Sequence, residues 1–186
     1  MNETQLSDTD ILQLLQQKTS YQRGFSLLLS KYQERIHWHI RRMVQSHEDA
    51  NDVVQNCFVK VYRNIHKFQG KSKLYTWLYR IATNEALTFL EKRKRTQTAS
   101  LDQEETGWQE RFATDGDFDG NAAKILLQRA ILTLPEKQKV VFNLRYFDEM
   151  TYADISETLG TSQGALKASY HHAVKKIEAF VRENHG

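Results

Sequence analysis

Apolar side chains recur at steps of three and four residues through most of this 186-residue chain. That period belongs to helices with one buried face, and it leaves little room for the two-residue alternation of strands. A single proline and eight glycines favour long helices over many short strands. The expected class is all-α. Ser7 and Thr9 offer N-caps for a short helix over Asp10 to Lys18, with Ile11, Leu12, Leu14 and Leu15 on its apolar side. Phe25, Leu28, Leu29, Tyr32, Ile36, Ile40 and Val44 then mark one amphipathic helix from about Tyr21 to Gln45. Ser46, with Asp49 three positions on, is placed like a capping box. The helix it opens shows Ala50, Val54, Phe58, Val61 and Ile65 on one face, and Asp49, Asp52, Gln55, Asn56, Lys60 and Arg63 on the others. Beyond Gly70 and a cap candidate at Ser72, a stripe of Leu74, Leu78, Ile81, Glu85 and Thr88 predicts a helix to about Arg95.

The recurrence stops from Thr96 to Gly120, where acids accumulate. Residues 21–95 carry fifteen basic and six acidic side chains, net +9, and residues 96–120 carry one and seven, net −6. Residues 121–186 carry nine and seven, net +2, and the first twenty residues −2. Charge sorted this way points to two helical domains, 1–95 and 122–186, joined by an acidic flexible linker, 96–121. About 25 such residues span roughly 25–30 Å as a coil, and self-repulsion favours longer extensions.

Helical order returns over Ala122 to Leu134, and Pro135 suits the first position of the next helix, which runs to Phe147. Thr151 caps a helix from Tyr152 to Leu159, Gly160 stops it, and Thr161 or Ser162 caps a last helix from Gln163 to about Arg182. Two helices joined by so short a glycine turn form a helix-turn-helix. Ile155, Leu159, Leu166, Val174 and Ile177 supply its core, leaving Ser162, Gln163, Lys167, Ser169, Tyr170, His171 and Lys175 facing outward. Hydrogen-bonding and basic groups on such a helix suit a DNA major groove, although a helical hairpin with a solvated polar face shows the same pattern.

A second site is the loop His66–Lys73. Lys67, Lys71 and Lys73 surround Phe68, and Tyr75, Trp77, Tyr79 and Arg80 follow. Cations meet phosphates while aromatic faces stack on unpaired bases; the bland reading makes the aromatics core and the lysines solvated. The run Lys92-Arg-Lys-Arg95 complements a helix dipole and could also meet a phosphate backbone.

Several classes are excluded. No window approaches the roughly 18 apolar residues of a membrane span, so a soluble protein is expected where it is made. One cysteine, Cys57, allows neither an internal disulfide nor a thiolate zinc cage. Asp115, Asp117 and Asp119 begin like a calcium loop, but its twelfth position, which must be a bidentate Glu, is Leu126. His37 and His39, like His171 and His172, stand too close in sequence to point one way on a helix. His47-Glu48 lacks a second histidine, and no nucleophile stands near a base and its orienter. Neither a catalytic residue, a metal site nor a cofactor is expected.

Three stretches in order carry a family likeness: Glu48 to Arg63, Lys73 to Asn84, and Leu134 to Gly160 with the helix that follows. The chain resembles the RNA polymerase sigma factors of the extracytoplasmic-function (ECF) group, over about residues 10–95 and 122–182. The resemblance implies a bacterial, cytoplasmic initiation factor whose partners are core RNA polymerase and promoter DNA. It implies that Asp49, Asp52 and Gln55 dock on the polymerase clamp. It also implies that the minus-ten element is captured and melted by Lys67, Phe68, Lys71, Lys73, Thr76, Arg80 and Asn84. The helix from Gln163 then reads the minus-thirty-five element, and the acidic linker threads the polymerase near the RNA exit path. Control by an anti-sigma factor is expected from a separate protein. The chain departs from the family's usual residues at Asn51, Asn56 and Cys57, and at Ala165 and His172. Two other readings follow from the residues alone, a free-standing helix-turn-helix regulator and a calcium-binding interaction protein.

Overall fold

The structure is a computed structural model that describes residues 6–99 and 122–184. Among the described residues there are helices and turns but no strand. Two compact units, Met1–Phe89 and Leu90–Gly186, divide the chain.

The first unit holds α1 (Asp8–Gln16), α2 (Tyr21–Val44), α3 (His47–Asn64), a 3-10 turn (Ile65–Lys67) and the start of α4 (Leu74–Ala99). Ser7, not Thr9, starts α1: its Oγ accepts from the Asp10 N–H at 3.2 Å, and its own N–H donates to the Asp10 carboxylate at 2.9 Å. This reciprocal cap satisfies two groups that a helix start would otherwise leave orphaned. α1 packs on α2, burying Ile11 and Leu15. Lys31 Nζ and the Tyr32 hydroxyl both reach Asp8 at 2.7 Å. α2 stops where Gln45 turns left-handed, φ 68°. α3 starts where Ser46 Oγ accepts from the Asp49 N–H at 3.3 Å.

Leu28, Ile36 and Ile40 of α2, Ala50 and Val61 of α3, and Leu78 and Ala82 of α4 are fully buried. The buried stripe of α4 is Leu74, Leu78, Ala82 and Ala86, flanked by Thr76, Tyr79 and Thr83. This corrects the expected stripe. Ile81 and Glu85 are half-buried and Thr88 is exposed. Alanines bring helix backbones close, and Glu85 turns instead to an ion pair with Lys60 of α3. α2 is tied to α4 inside the core, where His39 Nε2 and Thr83 Oγ1 lie 2.9 Å apart. α4 continues past the expected end at Arg95, so the first residues assigned to the linker are helical. Residues 100–121, with the acidic run and the calcium-like loop, lie outside the described residues.

The second unit holds α5 (Ala122–Leu132), α6 (Glu136–Tyr146), α7 (Tyr152–Leu159) and α8 (Gln163–Asn184). Pro135 stands one place earlier than expected, as the N-cap of α6, its carbonyl accepting from the Lys139 N–H at 2.9 Å. Thr151 Oγ1 caps α7 by accepting from the Asp154 N–H at 3.1 Å. Gly160 closes α7 in the left-handed region, φ 66°, which glycine enters without steric cost. Ser162 rather than Thr161 caps α8, accepting from the Ala165 N–H at 3.3 Å. α5, α6 and α7 all pack on α8. Its buried residues are Leu166, Ala173 and Ile177; Ala173 was missed, and the expected core residues Leu159 and Val174 are only half-buried.

Gly24 of α2 faces α1 at close range. A Cβ there would stand 2.9 Å from Leu14 Cβ and 3.0 Å from the Leu15 backbone nitrogen. Backbone cannot swing aside as a side-chain tip can, so Gly24→Ala should cost about 1–3 kcal/mol. Chemical unfolding followed by circular dichroism measures it as a lowered midpoint; an unchanged midpoint would mean that α1 does not dock as described.

Candidate functional site

The loop between the 3-10 turn and α4 exists because Ile65 and Leu74, at its two ends, are buried while everything between them reaches the surface. Gly70 lets it turn with φ 68°, in open space. Phe68 is half-buried, its ring centroid 5.5 Å from that of Trp77 in the first turn of α4. Lys67, Lys71 and Lys73 of the same loop are exposed, and Lys73 Nζ lies 5.4 Å from the Tyr75 ring centre. Arg80 is half-buried and Asn84 exposed, farther along α4. An aromatic face in a loop that also carries exposed ammonium groups can take an unpaired base and its phosphate together.

Two residues of this stretch do not belong to that surface. Tyr79 is core, its ring 5.0 Å from His39. Thr76, expected among the nucleic-acid contacts, is fully buried, and its hydroxyl has no hydrogen-bond partner. It faces inward because the helix turn that brings Trp77 outward turns Thr76 toward the core.

On α3, Asp52 and Gln55 are exposed and Asp49 is half-buried. Gln55 lines an open groove between α2 and α3 with Leu29, His37, Val54 and Phe58. At the groove's edge Val59 is 42% and Tyr62 46% exposed. Neither was singled out from the sequence, although both are apolar residues off the core stripe. Tyr62 is held by ring contacts at 4.9 Å to Phe25 and 5.2 Å to Tyr21, whose hydroxyl donates to the Tyr62 carbonyl at 2.7 Å.

On α8, Gln163, Lys167, His171 and Lys175 are exposed, as is Ser162, whose hydroxyl is committed to the cap. Ser169 and Tyr170 are half-buried. Tyr170 was expected to face outward; instead its ring stacks on Phe142, centroids 5.7 Å apart and planes 13° apart. Burial raises its phenol above the ordinary value, so it stays neutral. Of the four histidines weighed as ligands, His39 is used in the core, and His171 and His172 lie 6.1 Å apart, both exposed. Among the described residues no three His, Cys, Asp or Glu side chains gather as a metal site would require. Lys92, Lys94 and Arg95 are exposed and Arg93 half-buried. No described helix is long and apolar enough to cross a membrane.

An unsatisfied buried hydroxyl is a cost that an isosteric methyl removes. Thr76→Val should therefore raise the stability of the first unit by about 1 kcal/mol. Chemical denaturation reads this as a higher midpoint; a lower one would show that the hydroxyl has a partner.

Known proteins resemble the chain in sequence and in fold. The Sigma-70 region 2 family matches residues 28–96, and the Sigma-70, region 4 family matches residues 124–177. The ECF RNA polymerase sigma-E factor of Haemophilus influenzae is 31% identical over 182 residues, covering 94% of this chain and 95% of its own. The ECF RNA polymerase sigma factor SigW of Bacillus subtilis is 32% identical over 178 residues, covering 90% and 94%. Two solved structures share the fold. The sigma factor RpoE in complex with the anti-sigma factor NepR, from Bartonella quintana, has TM-score 0.69 and 19% identity, covering 87% of this chain and 99% of its own. CnrH in complex with the cytosolic domain of CnrY has TM-score 0.70 and 20% identity, covering 95% and 99%. With both sigma-70 regions in place and near-complete coverage of relatives at about 31% identity, the chain belongs to the ECF RNA polymerase sigma factors, which initiate transcription and are not enzymes.

Proposed function

We propose that the labour of promoter recognition is split along the chain, with residues 1–95 and 122–186 as working domains and residues 96–121 as an acidic connector. The N-terminal domain docks on core polymerase through Asp49, Asp52 and Gln55, beside the groove edged by Val59 and Tyr62. Its loop then traps bases of the minus-ten element: Phe68 stacks while Lys67, Lys71, Lys73, Arg80 and Asn84 hold the strand. Flipping a base costs a few kcal/mol, and stacking on an aromatic ring returns roughly 1–3 kcal/mol per base. Thr76 takes no direct part, since its side chain is buried.

The C-terminal domain reads the minus-thirty-five duplex with Gln163, Lys167, His171 and Lys175. Its net charge of +2 makes that grip weak alone, since phosphate neutralisation supplies most non-specific affinity. Initiation therefore needs both domains held together on polymerase. The connector's negative charge stands in for nucleic acid as it threads the enzyme. The factor acts in the bacterial cytoplasm, at the nucleoid during initiation. A separate anti-sigma protein restrains it, as NepR and CnrY accompany the two structural relatives.

The observation that carries this reading is Phe68, a half-buried aromatic ring backed by Trp77 in a loop that carries three exposed lysines. A free-standing regulator would have no use for such a loop. Phe68→Ala should leave capture by core polymerase intact while permanganate footprinting shows promoter opening reduced about tenfold. Lost polymerase capture would make Phe68 a core residue, and failure of the wild-type chain to associate with core polymerase would sink the whole reading.

Lys167→Ala and Gln163→Ala should each weaken binding to minus-thirty-five duplex by roughly 1–3 kcal/mol and leave capture of melted minus-ten strand unchanged. Fluorescence anisotropy on the two probes separates the effects. Equal losses on both probes would refute the assignment of the two sites to different domains.

A further inference from the structure

Tyr152, the first residue of α7, is surrounded in a way the recognition reading leaves unused. Its ring is half-buried at the junction of three helices. The Arg145 guanidinium, from α6, lies 5.2 Å from the ring centre, and Lys167 Nζ, from α8, lies 5.8 Å from it. Both distances fall within reach of the attraction between a cation and an aromatic face. Behind Tyr152 stands Tyr170, edge-on with ring centres 6.4 Å apart, and Tyr170 stacks on the buried Phe142. A line of rings thus runs from the domain core to the surface and ends beneath a lysine of the recognition face. Arg145 steadies the arrangement by donating Nη1 to the Met150 carbonyl at 2.9 Å, next to the cap of α7.

Lys167 makes no hydrogen bond or ion pair with any described residue; the Tyr152 ring is what it meets. The choice of partner matters chemically. A carboxylate would occupy the ammonium donors and cancel the charge that DNA needs. An aromatic face does neither, because the N–H groups turned away from the ring stay free. A lysine alone loses much rotamer freedom when it binds, and a ring that restrains it beforehand reduces that loss.

We propose that Tyr152 is a positioning residue for duplex recognition: its ring holds the Lys167 ammonium toward the groove without neutralising it. This rests on the reading of α8 as the recognition helix, and it assigns Tyr152 a role exerted through Lys167.

The test uses the full chain in holoenzyme and a duplex from a promoter that the wild-type holoenzyme transcribes. Tyr152→Leu weakens binding about two- to fivefold, the range for one exposed cation–ring contact. Tyr152→Phe, which keeps the ring, binds like wild type. In a Lys167→Ala background, Tyr152→Leu has no further effect. If the Tyr152→Leu loss persists in that background, or Tyr152→Phe is as weak as Tyr152→Leu, the proposal is overturned, because the residue then acts without Lys167 or through its hydroxyl. If Lys167→Ala itself binds normally, the recognition face is misassigned and the proposal falls with it. A measurement independent of whether Tyr152→Leu folds is the spectrum of the lysine-labelled wild-type chain. Lys167 ε-methylene resonances, identified by their loss in Lys167→Ala, are shifted upfield by the ring current, and unshifted resonances overturn the proposal.

Discussion

Among described residues 122–184 the packing is arranged around α8, because α5, α6 and α7 all pack on it. One helix is thereby both the centre of a core and, in the proposed reading, a surface for a partner. Leu166, Ala173 and Ile177 settle the inward side, and Ala173 lets neighbouring helices approach a nearly bare backbone. Once that side is fixed, so is the other: Gln163, Lys167, His171 and Lys175 follow at four-residue steps along one row. Rolling the helix to present different residues would pull apolar groups into water and push ammonium groups into the core. The exposed row is therefore as rigidly determined as the packing row.

The N-terminal unit solves a related problem with a loop. The trap proposed for an unpaired base has to be open yet hold its aromatic ring still. Phe68 leans on Trp77, and the loop ends where Ile65 and Leu74 plunge into the core. A strongly hydrated lysine charge works over a range of positions, so its placement is less exacting than that of a ring whose plane matters.

Much of this was legible from residues. Thr151, Gly160 and Ser162 mark their turns because caps and left-handed positions accept few residue types. Phe68 and its lysines were visible as an aromatic inside a basic, glycine-containing loop. What escaped reading were positions decided by contact across the fold. Thr76 and Thr83 are polar by type yet buried on α4, the latter against His39, a partnership that exists only once α2 and α4 meet. Tyr170 looked like a surface group because nothing local says that Phe142 waits beneath it. Glu85, placed on the apolar stripe by spacing, turned to Lys60, since an ion pair at the rim lets small alanines fill the close approach instead. Periodicity reports which side of a helix is buried, not which neighbour covers it.

One quiet feature of the core bears on how such a factor can be controlled. The only cysteine in these 186 residues, Cys57, is 1% exposed, and burial pushes its thiol up to about 12, with Glu85 adding to the effect. Oxidants and disulfide exchange act on an accessible thiolate. Cys57 is therefore ill placed to sense peroxide, and a thiol that answers oxidative injury through this chain would have to belong to another molecule.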